Sequence, residues 1–148
     1  MFRKILVPVD RSALAPRELQ TAITLGSRFD AEVVVLRVLG QAASLEAGET
    51  EIDLNVVEQE TQELLAEAVR EIDGASGVRV TAEVRSGPVL DTILVAAQDH
   101  LVDLIVVGSH GRRRAIDWLR GSTAEQLVDR ASPSVLVIKP EGYPFLTE

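Results

Sequence analysis

The chain has 148 residues, the size of one ordinary domain, and its 46% hydrophobic and 26% charged residues make a globular composition. Cysteine is absent and histidine occurs twice, which excludes disulfide scaffolds, cysteine catalysis and cysteine zinc sites and leaves no histidine-rich metal site. A formal net charge of −8 argues against a general nucleic-acid binder, which needs basic surface.

Between Val38 and Val69 the chain carries eight acids and no Lys or Arg. That stretch reads as a solvated acidic helix face, with a docking surface for a basic partner as the alternative. No segment approaches the roughly 18 apolar residues of a membrane span. The apolar run after Met1-Phe2-Arg3-Lys4 is broken by Pro8 and Asp10, too early for a signal peptide. The expectation is one cytoplasmic domain over residues 1–148 with no membrane insertion.

Two kinds of segment alternate along the chain. Ile5–Val9 is a short apolar, β-branched run, and Leu19, Ala22, Ile23, Gly26 and Phe29 then recur at helical spacing. Pro16 fits that helix only in its first turn. Glu32–Val38 reads as a buried strand, and Gln41–Thr50 as a loop. Leu54, Val57, Thr61, Leu64, Ala68 and Ile72 predict a long second helix, stopped between Gly74 and Gly77. Val78–Val84 is a third strand, and Gly87-Pro88 opens a helix with proline at its first position and Val89, Ile93, Ala96 and Ala97 on one face. Leu104–Val107 is a fourth strand ending in Gly108. A helix from Ser122 to about Arg130 and a fifth strand, Val135–Ile138, complete the order.

Strands alternating with helices predict an α/β domain with a mainly parallel, doubly wound sheet and helices on both faces. Ligands in such folds sit outside the carboxyl ends of the strands, where strand order reverses. Asp10, Val38 and Gly108, each at such an end, are therefore the positions to inspect.

The stretch after the fourth strand is the richest in chemistry. Gly108 and Gly111 let backbone N–H groups approach an anion closely, and Gly121 and Ser122 stand at a helix start, where free N–H groups favour negative charge. Arg112, Arg113, Arg114 and Arg120 lie between them in a chain that is acidic overall. A polyphosphate cradle is one reading. The other is structural: Ser122-Thr123-Ala124-Glu125 is also a capping box, Gly108 can simply end a strand, and the arginines can be a solvated loop. Neither a Walker loop nor the dinucleotide glycine motif is present. Asp10 has the same double reading, as ligand group or as cap of the next turn. His110 faces either phosphate or solvent, and His100, at a helix end, reads as structural.

With these residues in view, the sequence resembles the universal stress protein family. The family's ATP-binding members carry Gly-x2-Gly-x9-Gly-Ser/Thr after the fourth strand, and Gly108, Gly111, Gly121 and Ser122 fit that spacing without gaps. Pro8-Val9-Asp10-Arg11-Ser12 is similar to the family's Pro-x-Asp-x-Ser at the end of its first strand. Pro133–Ile138 is similar to its last strand. Two departures stand out: Arg11 replaces a frequent glycine, and the spacer carries Arg112-Arg113-Arg114 where many relatives have fewer bases and a further glycine.

The resemblance implies a five-stranded parallel sheet of order 3-2-1-4-5 and ATP, with Mg²⁺ on its phosphates, over strands 1 and 4. It implies that Pro8, Val9 and Asp10 line the nucleotide site, Asp10 by the ribose and adenine. Val38 would offer backbone groups to the adenine edge. Gly108, Gly111, Gly121, Ser122 and Thr123 would hold the phosphates, with His110, Arg112 and Arg113 beside them. No metal ligand comes from protein side chains. A homodimer is expected through Val135, Leu136, Val137 and Ile138, an apolar strand at a sheet edge, the alternative being that a helix or the tail Glu141–Glu148 covers it.

The expected function is a regulatory ATP-binding module that passes nucleotide state to a partner protein or to its own oligomeric state. The alternatives are a slow ATP hydrolase and a nucleotide-free scaffold. No catalytic residue is assigned, because Asp117 is the only acid between Gly108 and Gly121 and no obvious base accompanies the motif.

Overall fold

The computed structural model describes residues 1–40, 54–72, 77–109 and 123–141. The apolar runs become the strands of one sheet and the periodic stretches the helices that cover it. In chain order these are β1 (Lys4–Val9), α1 (Ala15–Phe29), β2 (Glu32–Leu39), α2 (Leu54–Arg70), β3 (Val80–Ser86), α3 (Val89–Asp99), β4 (Leu104–Gly108), α4 (Thr123–Arg130) and β5 (Ser134–Ile138). The strand order is β3-β2-β1-β4-β5, and every neighbouring pair is parallel, as expected.

Alternation along the strands sorts the core into two layers. Ile5, Val7, Val33, Val35, Leu104 and Val106 face α1 and α2, meeting Leu19, Ala22, Ile23, Leu65 and Ala68. Leu6, Val34, Leu36, Ile105 and Val107 face α3 and α4, meeting Ile93, Ala96, Ala97, Ala124 and Leu127. Apolar residues on both faces of the central strands are the sequence trace of a sheet covered on both sides.

Several boundaries differ from the sequence reading, each for a local reason. β3 begins at Val80, because Val78 packs onto the α1 side of the core before the ladder with β2 starts at Val33–Val80. Pro88 is the cap of α3 and not its first residue: its ψ of 131° is extended, while its carbonyl already accepts the Thr92 N–H at 2.9 Å. Val89 is consequently exposed and off the buried face. Phe29 lies at the rim, where its ring meets Phe2 edge-on at 5.6 Å. On α2, Leu65 is buried more deeply than Leu64, and Ile72 packs on the core beyond the helix end. The expected Gln41–Thr50 loop, the Gly74 stop and the Ser122 helix start lie outside the described residues.

Candidate functional site

Strand order reverses at β1, whose neighbours are β2 on one side and β4 on the other. The helices that follow β1 and β4 in the described residues, α1 and α4, lie on opposite faces of the sheet, the arrangement that forms a ligand crevice in such folds. The ladders on the two sides of β1 differ in length. Pairing of β1 with β2 runs on to Val9–Arg37, whereas pairing with β4 stops at Leu6–Ile105. Pro8, which has no N–H to donate, stands beyond the last β1–β4 pair.

Asp10 follows β1 at the mouth of this crevice, half-buried. One carboxylate oxygen accepts the Ser12 N–H at 2.8 Å, an Asx turn that launches the chain toward α1. Arg11 turns away to pair with Glu60 of α2 at 3.1 Å, so its cation does not serve the crevice. The Ser12 hydroxyl is buried and has no hydrogen-bond partner among the described residues.

Gly108 and Ser109 form the opposite lip. The Ser109 N–H donates to the Ile138 carbonyl at 2.9 Å, tying the lip to β5. Ser109 is only 6% exposed, and its hydroxyl has no partner among the described residues. Gly108 abuts a buried acid that inspection of the sequence missed. Glu18 of α1 is 4% exposed and its carboxyl accepts the Gly108 N–H. A Cβ on Gly108 would run into the Glu18 Oε1 and stand 3.2 Å from Leu14 Cδ1. Burial, and then the neighbouring Asp10 carboxylate, push the Glu18 carboxyl up to about 8, opposed by the Gly108 N–H. Glu18 is therefore largely uncharged at neutral pH. The signal for it was present: Glu18 lies between Ala15 and Ala22 on the buried stripe of α1, where a charged side chain is out of place.

The remaining predicted residues are distributed as follows. Val9 is buried at the end of β1 and Pro8 half-buried beside it. Val38 lies near the end of β2, opposite Arg85, and packs against the α3 side of the core. Thr123 opens α4, with Glu125 in the first turn. His110, Gly111, Arg112, Arg113, Gly121 and Ser122 lie outside the described residues, as do Arg114, Trp118 and Arg120. His100 is structural, as read: its Nε2 lies 2.9 Å from Glu83 of β3, and its N–H caps α3 through the Ala96 carbonyl. Among the described residues no helix is long and apolar enough to cross a membrane.

A model of the universal stress protein family matches residues 1–139. The chain belongs to the universal stress protein family. It is 31% identical to universal stress protein MJ0531 of Methanocaldococcus jannaschii over 142 residues, covering 94% of this chain and 83% of that protein. The solved structure of protein MJ0577 of the same organism superposes with a TM-score of 0.76 at 28% identity, covering 97% of this chain and 99% of that one. A universal stress protein of Archaeoglobus fulgidus, solved in complex with dAMP, gives a TM-score of 0.64 at 26% identity, covering 93% and 98%. These solved structures thus share the fold described above.

Proposed function

We propose that this chain is a cytoplasmic regulatory module that binds ATP at the β1–β4 crevice and passes its nucleotide state to its own assembly or to a protein partner. One observation carries the reading. The crevice opens where β1 and β4 part, with Asp10 on one lip and Gly108 on the other, and from Gly108 the sequence continues into an unbroken Gly-x2-Gly-x9-Gly-Ser spacing. The dAMP complex of the Archaeoglobus fulgidus relative supports a nucleotide as the ligand class.

The residues at the crevice suit such a ligand. The Ser12 and Ser109 hydroxyls are buried without a partner among the described residues, and buried polar atoms of that kind are satisfied by a ligand or water. Asp10 supplies a carboxylate for ribose hydroxyls, with Pro8, Val9 and Val38 as the apolar and backbone surroundings of the base. Gly111, Gly121, Ser122 and Thr123 supply N–H and hydroxyl donors for phosphates, and His110, Arg112 and Arg113 supply positive charge. Mg²⁺ would be held by the phosphates, not by protein side chains. The reading is of binding, not turnover: the buried acid at the crevice, Glu18, is already engaged with the Gly108 N–H.

The assembly we propose is a homodimer through β5. This is an edge strand, with Leu136 38% exposed and Val135, Val137 and Ile138 anchored on the core behind it. Edge strands of this kind pair with a second copy.

Titration calorimetry with Mg-ATP tests the ligand. Binding in the micromolar range is expected, with a stability gain of about 2.7 kcal/mol at 100 times the dissociation constant. Gly111→Val and Gly121→Val should abolish it while the far-UV spectrum is unchanged. Absence of both heat and thermal shift at millimolar ATP would overturn the reading. Light scattering tests the dimer, and a monomer at high micromolar concentration would reject it.

A further inference from the structure

We propose that Glu18 is a proton-linked positioning residue of the crevice: its buried carboxyl, held between the Gly108 N–H and the Asp10 carboxylate, favours a polyphosphate ligand when protonated and opposes it when ionised. The inference rests on the nucleotide reading above and concerns a residue that lies outside the glycine motif.

The geometry comes first. Glu18 stands on the buried face of α1, 4% exposed, with its carboxyl against Gly108 at the end of β4. Its carboxyl accepts the Gly108 N–H, so that donor is occupied from below. The absence of a side chain at Gly108 is what allows the approach. The groups facing it follow from the elements packed around it. From the end of β1 comes Asp10, whose negative charge is the Coulombic neighbour, and from β4 comes the uncharged Gly108 backbone. From the cap of its own helix comes Leu14 beside Gly108, while Arg17, the adjacent cation of α1, is directed to Glu141 after β5 at 3.9 Å. From α2, Glu60 holds Arg11. Among these described groups no cation faces Glu18 to neutralise it. Burial and Asp10 accordingly keep it protonated up to about pH 8.

The consequence is a matter of charge. With Glu18 neutral, the floor of the crevice carries the single charge of Asp10. With Glu18 ionised, it carries two negative charges in a low-dielectric setting, one of them against Gly108, the first glycine of the motif proposed to hold the phosphates. By linkage the ligand must then retain a proton on Glu18 when it binds, and a solution above about pH 8 must supply that proton. The carboxyl also fixes the lip, so loss of its proton both repels the ligand and alters the group that holds Gly108.

Calorimetry with Mg-ATP from pH 6.5 to 9.5, run in buffers of different ionisation enthalpy, tests this in wild type and in Glu18→Gln. The expected wild-type affinity is flat to about pH 8 and then weakens, by about tenfold at pH 9 relative to pH 7, with net proton uptake on binding. Glu18→Gln should bind with a flat profile and no proton uptake. A Glu18→Ala variant repeats the comparison should the glutamine form fold poorly. Carbon-13 NMR of the ligand-free wild type should show one glutamate carboxyl titrating near pH 8. If wild type binds ATP but its pH profile coincides with that of the variants, the proton coupling is overturned and the nucleotide reading stands. If no form binds at any pH, the nucleotide reading falls and takes the coupling with it. If the NMR titration finds every glutamate ionised by pH 6, the coupling is overturned independently of any ligand.

Discussion

The Glu18 carboxyl occupies the space that a side chain on Gly108 would need. Gly108 therefore has a packing requirement as well as its place in the glycine motif. The first is decided by α1, about ninety residues upstream in sequence. A methyl group added at Gly108 would displace the buried carboxyl, crowd Leu14 and disturb the hydrogen bond that the carboxyl accepts. Gly108→Ala should cost about 2–4 kcal/mol, the range for overpacking joined to a disturbed buried polar group. Glu18→Ala in the same molecule should return part of that cost, because the two sites share one space. A coupling of about 1–2 kcal/mol is expected in a denaturant double-mutant cycle. Simple additivity would show that the two residues do not contend for the same volume.

Glu18 also makes a pH prediction that needs no ligand. Its carboxyl titrates near 4.5 in the unfolded chain and near 8 in the folded one. Between those values the folded state holds a proton that the unfolded state has released, so this residue's contribution to stability falls as pH rises and levels off above about 8. The limiting slope is about 1.4 kcal/mol per pH unit. The stability of wild type minus that of Glu18→Gln, measured by urea unfolding from pH 5 to 9, should therefore decline and then flatten. Taking the difference cancels the other carboxylates. A difference that is constant with pH would contradict the raised affinity of Glu18 for its proton.

A second glycine is set by close approach of helix to sheet. Gly26 lies inside α1, where alanine normally stabilises by about 1 kcal/mol. Here a Cβ would stand 2.9 Å from Val33 Cγ2, 3.0 Å from Val78 Cγ1 and 3.2 Å from the Ala31 carbonyl. All three belong to packed or backbone groups with little room to yield. Gly26→Ala should thus destabilise by about 1–3 kcal/mol, reversing the sign that propensity gives. A thermal midpoint raised by the substitution would mean that α1 can lift off β2 at little cost.

The fold was legible in the sequence wherever burial was one-sided or two-sided in an unbroken pattern. Val33-Val34-Val35-Leu36 could only be a strand covered on both faces, and Leu19, Ala22, Ile23 and Gly26 only a helix stripe. The order of the strands was not legible from pattern and came from family resemblance. Element ends were less legible because caps decide them. Pro88 stays outside α3 through its extended ψ, and Val78 packs on the core, half-buried, before it is paired. At the site, Asp10, Val38 and Gly108 were legible from position alone, as residues at the carboxyl ends of strands, whereas the reversal of order at β1 came with the family resemblance. Glu18 was not, because a lone acid in a helix reads as surface until the neighbours of Gly108 are known. Ser109 was passed over for a similar reason: a small polar residue between two glycines gives no sign that its hydroxyl is buried without a partner.

The end of α3 offers a stabilising substitution away from the crevice. His100 is the last residue of near-helical conformation, and Leu101 then takes a left-handed φ of 55°. The Leu101 N–H donates to the Gln98 carbonyl at 3.1 Å and the Val102 N–H to the Ala97 carbonyl at 2.9 Å, the two bonds of a Schellman ending. Val102 and Ala97 are both buried in the core facing α3, which fixes the turn. Leu101 itself is 85% exposed, so its side chain gains almost nothing from the fold while its backbone bears the cost of the left-handed conformation, about 1–2 kcal/mol. Glycine removes that cost but raises the entropy of the unfolded chain by about half as much. Leu101→Gly should then stabilise by about 0.5–1 kcal/mol, and Leu101→Asn by a few tenths, in denaturant unfolding near neutral pH. Loss of stability in the glycine variant would show that the exposed leucine is covered by something other than solvent, and sedimentation of wild type against the variant would then reveal whether that cover is a second copy of the chain.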